Sequence, residues 1–345
     1  MKKLLSLIIA AAFMILVITN PKVCTEGAVK GLLLSGRVII PSLFPFTACV
    51  LFIMKSGGLS LLDFANPFTK RVFRLSPQQF SLMLLSFIGG YPVGGKLLNE
   101  AVKSGKISKE NAGIMLNYCV NAGPAFIVLA VGGGILGSKK IGYLLLLAHI
   151  ISSLILSLVF GHFIKNDNTD SENTAESFSP ADNFVVSVCE AASAIFSVCA
   201  YVILFSTVNE YMNCLSEKIS VLKYISPLLE VTNAVTGMRN IVIIAFLLGF
   251  AGVSVWCQII SMGKLIKINF AVFTLSRTAH GVLSAVITAL LLKVFGIAVT
   301  VSASVKYTPT YNGIVLSLSM LSMVIVLIIS LFSKKKTGNI LKDIV

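Results

Sequence analysis

The stretch from Phe80 to Gly134 constrains this chain more than any other. It opens with an apolar run, Phe80 to Ile88, and breaks at Gly89-Gly90-Tyr91-Pro92-Val93-Gly94-Gly95-Lys96. A basic link with Lys103, Lys106 and Lys109 follows, and the next apolar segment is interrupted at Asn117 and at Asn121-Ala122-Gly123-Pro124. In hydrocarbon every peptide group needs a partner, so a Gly/Pro-rich break survives only where protein covers it or where it lines a polar cavity. Two such breaks so close together predict a ligand site, with the remaining chain as its housing.

The argument needs a bilayer around these runs, and the composition supplies one. Of the 345 residues 56% are hydrophobic and 12% charged, against about 25% charged in soluble domains. Several apolar runs exceed the ~20 residues that cross a membrane. The expected fold class is therefore all-α, a polytopic membrane protein. The net charge of +14 sits in short links beside apolar runs, where the positive-inside rule puts it. No basic patch interleaved with aromatics appears, which argues against nucleic acid. Seven cysteines are scattered without a C-x-x-C pair, so neither a metal site nor a disulfide frame is expected. No cofactor is implied.

Met1-Lys2-Lys3 followed by Leu4 to Thr19 has the layout of a secretory signal, but the apolar part is long and no small-x-small site precedes Pro21. Residues 1–20 are read as an uncleaved anchor with a cytoplasmic N-terminus. The run Gly27 to Met54 carries Arg37 near its middle, with Pro41 and Pro45 beyond. Interior prolines kink or break a helix. Arg37 either snorkels to the interface or faces an aqueous cavity to neutralise an anion.

Basic clusters flank Phe80–Leu98 on both sides, so the segment is expected to enter and return as a re-entrant hairpin with its tip at the glycines. Pro92 can begin the returning helix, whose free N–H groups and positive dipole end would face an anion. The plainer reading is that the glycines serve close helix packing. The segment from Ala112 to Leu136 should cross outward. Asn117 and Asn121 lie at i, i+4 and would share one helix face, lining a site beside the Gly123-Pro124 break or joining helices as polar glue. Ile141 to Ile164 returns, with His149 and His162 expected near its ends.

A polar linker, 166–183, divides the chain. Leu84-Leu85-Ser86-Phe87-Ile88-Gly89 resembles Leu247-Leu248-Gly249-Phe250-Ala251-Gly252, Val50-Leu51-Phe52 resembles Ile203-Leu204-Phe205, and Ala122-Gly123 matches His280-Gly281. The common order predicts two repeats, 28–165 and 184–332, before a basic tail at 333–345. An odd number of crossings would invert the second, as in many secondary transporters. The second hairpin tip then falls near Gly252–Gln258, with Ser254 and Gln258 as polar groups and Arg277 and His280 on a broken helix opposite. Inversion would send the last span, Ile314–Phe332, outward and leave Lys334–Lys336 outside; a full crossing by 241–262 is the alternative. Glu190, the one buried-looking acid, may be read as an arginine partner or as a candidate proton-coupling group.

Phe87 to Lys96, then Asn121-Ala122-Gly123-Pro124, resemble the sporulation integral membrane proteins of the nucleoside-recognition (Gate) group. Pro41-Ser42-Leu43-Phe44-Pro45-Phe46 and Leu229-Glu230-Val231-Thr232 also match that pattern, over roughly 28–332. The group is distantly similar to concentrative nucleoside transporters, which bind solute between hairpin tips and unwound helices. The resemblance implies a transporter of dipicolinate, moved from the mother cell across the outer forespore membrane toward the developing spore. It places Gly89 to Lys96 and Asn121 to Pro124 along the path. In the second half Val253-Ser254-Val255-Trp256 replaces any tyrosine–proline–glycine element.

Dipicolinate is a planar aromatic dianion whose carboxylates suit guanidinium forks and helix N-termini. On this reading Arg37, Lys96 and Arg277, with the N–H groups of Tyr91–Gly95, supply positive potential, and Asn117 and Asn121 orient the ring. No acid–base pair, nucleophile elbow or phosphate loop is present, so an enzyme is not expected. The expected partners are the lipid bilayer, a small anionic solute, and a second copy or other sporulation membrane proteins. A nucleoside or other small-solute transporter, or a non-transporting assembly factor, remain the alternatives.

Overall fold

The computed structural model describes residues 2–60, 66–165 and 179–297. The last expected span, 314–332, the basic tail and most of the 166–183 linker lie outside them. Among the described residues there are fourteen α-helices and no strand, and five helices are long and apolar enough to cross a membrane. The chain is an all-α polytopic membrane protein.

Helix α1 (Lys2–Thr19) packs against α2 (Pro21–Leu34) and leaves Leu7, Ile8, Met14 and Ile18 exposed. A π-helical stretch, Ser35–Ile39, joins α2 to α3 (Ile40–Lys55). Pro41 sits in the first turn of α3. Proline has no N–H to give the carbonyl four residues back, and the π bulge absorbs the mismatch without breaking the helix. The path from Pro21 to Lys55 is one candidate span.

After α4 (Asn66–Val72), helix α5 (Pro77–Gly89) begins with Pro77 and a reciprocal cap between Ser76 and Gln79. It ends at Gly90, whose φ of +89° is costly for any residue with a Cβ. Helix α6 (Tyr91–Lys103) then folds back along α5. Helix α7 (Lys109–Cys119) gives way to an extended Val120 and then to a π-helix, Ala125–Ile135. Helix α8 (Lys139–Phe160) returns.

The second half opens with the longest of the described helices. Helix α9 (Pro180–Ser216) has 37 residues, about 55 Å of helix. Helices α10 (Leu222–Leu229) and α11 (Val231–Gly237) pack on each other around a break at Glu230. Helices α12 (Ile241–Phe250) and α13 (Gly252–Met262) flank Ala251 and Gly252, whose φ values are +72° and +80°. Helix α14 (Phe270–Val294) closes the described part.

One end of the bundle gathers the basic links. Asn111 exchanges hydrogen bonds with the backbone of Lys165 (2.7 and 3.0 Å), the Lys267 N–H donates to the Lys109 carbonyl (3.2 Å), and Gly161 abuts the Phe73 carbonyl. The start of α5 and the end of α6 thus lie at the same end, so α5–α6 goes in and comes back.

The expected register between the halves is corrected here. The stretch 241–262 is not a hairpin: α12 and α13 do not lie alongside each other, and together they form a candidate span. The folded-back pair of the second half is α10–α11, with its tip at Glu230 rather than near Gly252–Gln258. Helix α14 runs unbroken through Arg277 and His280; the interrupted helix is α12–α13. A folded-back pair, a broken helix and a long helix therefore occur in that order in both halves. His149 and His280 occupy the same position from the starts of α8 and α14, and their rings meet at 4.4 Å.

Candidate functional site

The breaks converge. Gly90, at the tip of α5–α6, touches Gly123 in the α7 interruption: a Cβ on Gly123 would lie 3.3 Å from the Gly90 Cα. The Tyr91 hydroxyl donates to the Leu248 carbonyl (2.6 Å), joining the tip to the broken helix of the other half. Gly252 packs against the Val231 nitrogen and the Leu228 and Leu229 carbonyls, so the breaks of α10–α11 and α12–α13 are also in contact.

A cavity of about 30 Å³ lies among them, room for a few waters. Tyr91 and Pro92 from the start of α6, Gly123 and Phe126 from the α7 interruption, and Val255 and Gln258 from α13 line it. Glu230, Val231 and Thr232 form another side, and Ile39, Leu43, Val198 and Val202 an aliphatic wall. Neither α6 nor α13 has a side-chain cap. The positive dipole ends of both helices lie beside the cavity; at the start of α6 Pro92 has no N–H and the Val93 N–H donates to the Gly90 carbonyl (3.1 Å).

Glu230 is the charged residue of the lining, and it is buried. Its Oε1 accepts from the Thr232 N–H (3.1 Å) and its Oε2 from the Asn233 N–H (2.6 Å). The Asn233 amide in turn donates to Ser206 Oγ at 2.6 Å, tying α11 to α9. Among the described residues no lysine or arginine lines the cavity.

Of the residues singled out by sequence, Tyr91, Pro92, Gly123 and Gln258 line the cavity, and Gly90 closes on Gly123 beside it. Ser254 sits one turn behind Gln258 and accepts from its amide (3.3 Å). Gly94 and Gly95 serve packing: a Cβ on Gly94 would meet the Cys119 carbonyl at 1.8 Å, and Gly95 faces Ile259. Gly89 ends α5, packed on Val93, and Pro124 leads into the π-helix.

The cations are placed otherwise than expected. Arg37 is exposed on the outside of the bundle, because the π bulge turns that position away from the core. Lys96 is held by Glu190 (3.3 Å) and Glu100 (3.8 Å), and Glu190 also holds Lys55 (3.0 Å). This network joins α3, α6 and α9 and leaves neither Lys96 nor Glu190 in the cavity. Arg277 is fully buried and donates through Nη1 to the Val120 carbonyl (2.5 Å) and through Nη2 to the Asn117 carbonyl. Its guanidinium caps the peptide groups that the end of α7 sets free.

Asn117 and Asn121 do not share a face, because α7 ends at Cys119. The Asn117 amide donates back to Gly113 and Ile114, and that of Asn121 to Tyr118 and Ser86. His149 is not near a helix end; it sits mid-α8, buried, and accepts from the Ala122 N–H at 3.0 Å. His280 contacts the His149 carbonyl (3.1 Å). Among the described residues no cluster of His, Cys, Asp or Glu could hold a metal.

The residue missed by sequence is Glu230. Its signal was present: a lone acid after two leucines and before Val-Thr-Asn, within the Leu229-Glu230-Val231-Thr232 stretch that shares in the family resemblance.

Two outcomes follow from these placements. Arg37→Ala should leave thermal stability in detergent within about 0.5 kcal/mol of wild type, since this exposed arginine is not part of the cavity lining. Tyr91→Phe should cost about 1 kcal/mol of thermal stability in detergent, the net worth of one buried hydrogen bond.

The chain is similar to the "Sporulation integral membrane protein YlbJ" of Bacillus subtilis (strain 168), at 23% identity over 85% of this chain and 84% of that protein. No family model matches the chain, and no solved structure does.

Proposed function

We propose that this chain carries a small solute across a membrane by alternating access at the cavity between its breaks, and that the solute is dipicolinate, moved from mother cell toward spore. The observation that carries the reading is the meeting of a hairpin tip and three further backbone breaks around one cavity. Interrupted helices leave peptide groups that need partners at membrane depth, and a polar cavity beside the breaks is one way to supply them. The order of elements in the two halves favours repeats of opposite sense, one rocking against the other about this point. The uncapped starts of α6 and α13 favour an anion, and the similarity to a sporulation membrane protein favours a sporulation solute and the outer forespore membrane. On this reading the solute leaves as it entered, with no chemistry done on it.

A nucleoside is the second reading. Glu230, Thr232 and Gln258 could hydrogen-bond a neutral, hydroxylated solute, and the absence of a lining cation favours it. Flux through the full chain in liposomes separates the two. Dipicolinate should move and uridine should not; the reverse would replace the cargo, and movement of neither would end the transport reading.

A further inference from the structure

We infer that Glu230 couples solute movement to protons: an anionic solute enters the cavity only when Glu230 carries a proton, so that the two cross together. This rests on the transport reading above and names the group that drives it.

The argument starts from charge. Glu230 lies in a cavity walled by Ile39, Leu43, Val198 and Val202, and among the described residues no lysine or arginine lines it. Two like charges a few ångströms apart in such a low-dielectric space repel by several kcal/mol, even at an effective dielectric constant of about 20. A carboxylate solute and a charged Glu230 therefore exclude each other. The Glu230 carboxylate is held by the Thr232 and Asn233 N–H groups at the start of α11, and the starts of α6 and α13 add their positive dipole ends beside the cavity. Glu230 is in effect the occupant of the empty cavity, and a proton removes it as a competitor.

The neighbours do not supply another route. Among the described residues Tyr91 from α6 is the other ionisable group lining the cavity, and its hydroxyl is committed to the Leu248 carbonyl (2.6 Å). Arg277 is committed to the Val120 and Asn117 carbonyls. On α9 the facing residues are Val198 and Val202, and on α13 they are Val255 and Gln258; Cys257 is not part of the lining. Lys223 and Tyr224 on α10 and Arg37 before α3 lie outside it. Glu190, the candidate expected from sequence, is neutralised by Lys55 and Lys96.

Protonation also reaches the fold. The proton goes to a carboxylate oxygen that accepts a backbone N–H, the longer bond being Oε1 with Thr232. That bond weakens, and with it the hold on the α10–α11 tip that packs against Gly252 of the broken helix. The proton arrives from the side where the solute enters and leaves where the solute leaves; no other bond is made or broken.

The test uses the full chain in liposomes enclosing a pH-sensitive dye, with dipicolinate outside. Wild-type flux should rise by up to about tenfold for each pH unit of outside acidification above the ionisation of Glu230, and the lumen should acidify only when dipicolinate is present. E230Q should lose the response, its flux ratio with and without a gradient falling to about 1. Dipicolinate flux in wild type that ignores the gradient, or a pH response retained by E230Q, overturns the coupling while transport stands. Absence of wild-type dipicolinate flux removes both readings. If E230Q does not fold, the wild-type dye trace decides alone.

Discussion

Gly94→Ala should prevent the chain from accumulating as a folded protein. The added methyl would sit 1.8 Å from the Cys119 carbonyl oxygen, and that oxygen belongs to backbone at the end of α7, not to a side chain that can swing aside. Overpacking costs about 1–3 kcal/mol where neighbours can shift; here α6 would have to move off α7, which also pulls the Gly90–Gly123 contact apart. The check is fluorescence-detected gel filtration in mild detergent, where Gly94→Ala should lose its monodisperse peak and Gly95→Ala, with its nearest neighbour at 3.5 Å, should keep it. A monodisperse, active Gly94→Ala protein would mean that α6 and α7 are not packed in this way.

Arg277→Met should be the second most damaging change, and for a reason different from the one its charge suggests. The methionine fills the space but strands the Asn117 and Val120 carbonyls, and each buried group left without a donor costs about 1–3 kcal/mol. A lower thermal midpoint should therefore accompany any loss of transport. Arg277→Lys should recover only part, since one ammonium lacks the fork that reaches two carbonyls at once. Had Arg277 been a solute-binding cation, Arg277→Met would keep its melting temperature and raise the half-saturating solute concentration. That pair of results would overturn the capping role.

What could be read from the residues depended on whether the cause was local. The break at Gly90 and the interruption at Gly123-Pro124 were legible because glycine and proline act on their own peptide groups. The all-α membrane class was legible because hydropathy needs no partner. The second hairpin was misplaced because Leu247–Gly252 resembles Leu84–Gly89 in letters, whereas the fold uses one stretch to turn back and the other to run on. Nothing within Leu222–Gly237 announces a hairpin: it has no Gly-Tyr-Pro-Gly sequence, and its tip is a glutamate that caps the following turn.

The cations were misjudged for a similar reason. A buried arginine or lysine suggests an anion only while its partners are unknown. Lys96 meets Glu190 across 94 positions of chain, and Arg277 meets peptide groups 157 positions away. Such distant pairings are set by packing. The acid that does face the cavity, Glu230, was masked by its own neighbours, because a carboxylate before Val-Thr-Asn reads as an ordinary cap.

The π-helix at Ala125–Ile135 has a mechanical consequence. Its 11 residues are wound wider and shorter than an α-helix would wind them, because each N–H reaches one carbonyl further back. Tightening that screw by a single bonding step would lengthen the segment and rotate Phe126 across the cavity it lines, while the foot beside α8 stayed anchored. The wall of the chamber can thus travel without any helix being unfolded, by a change of thread alone.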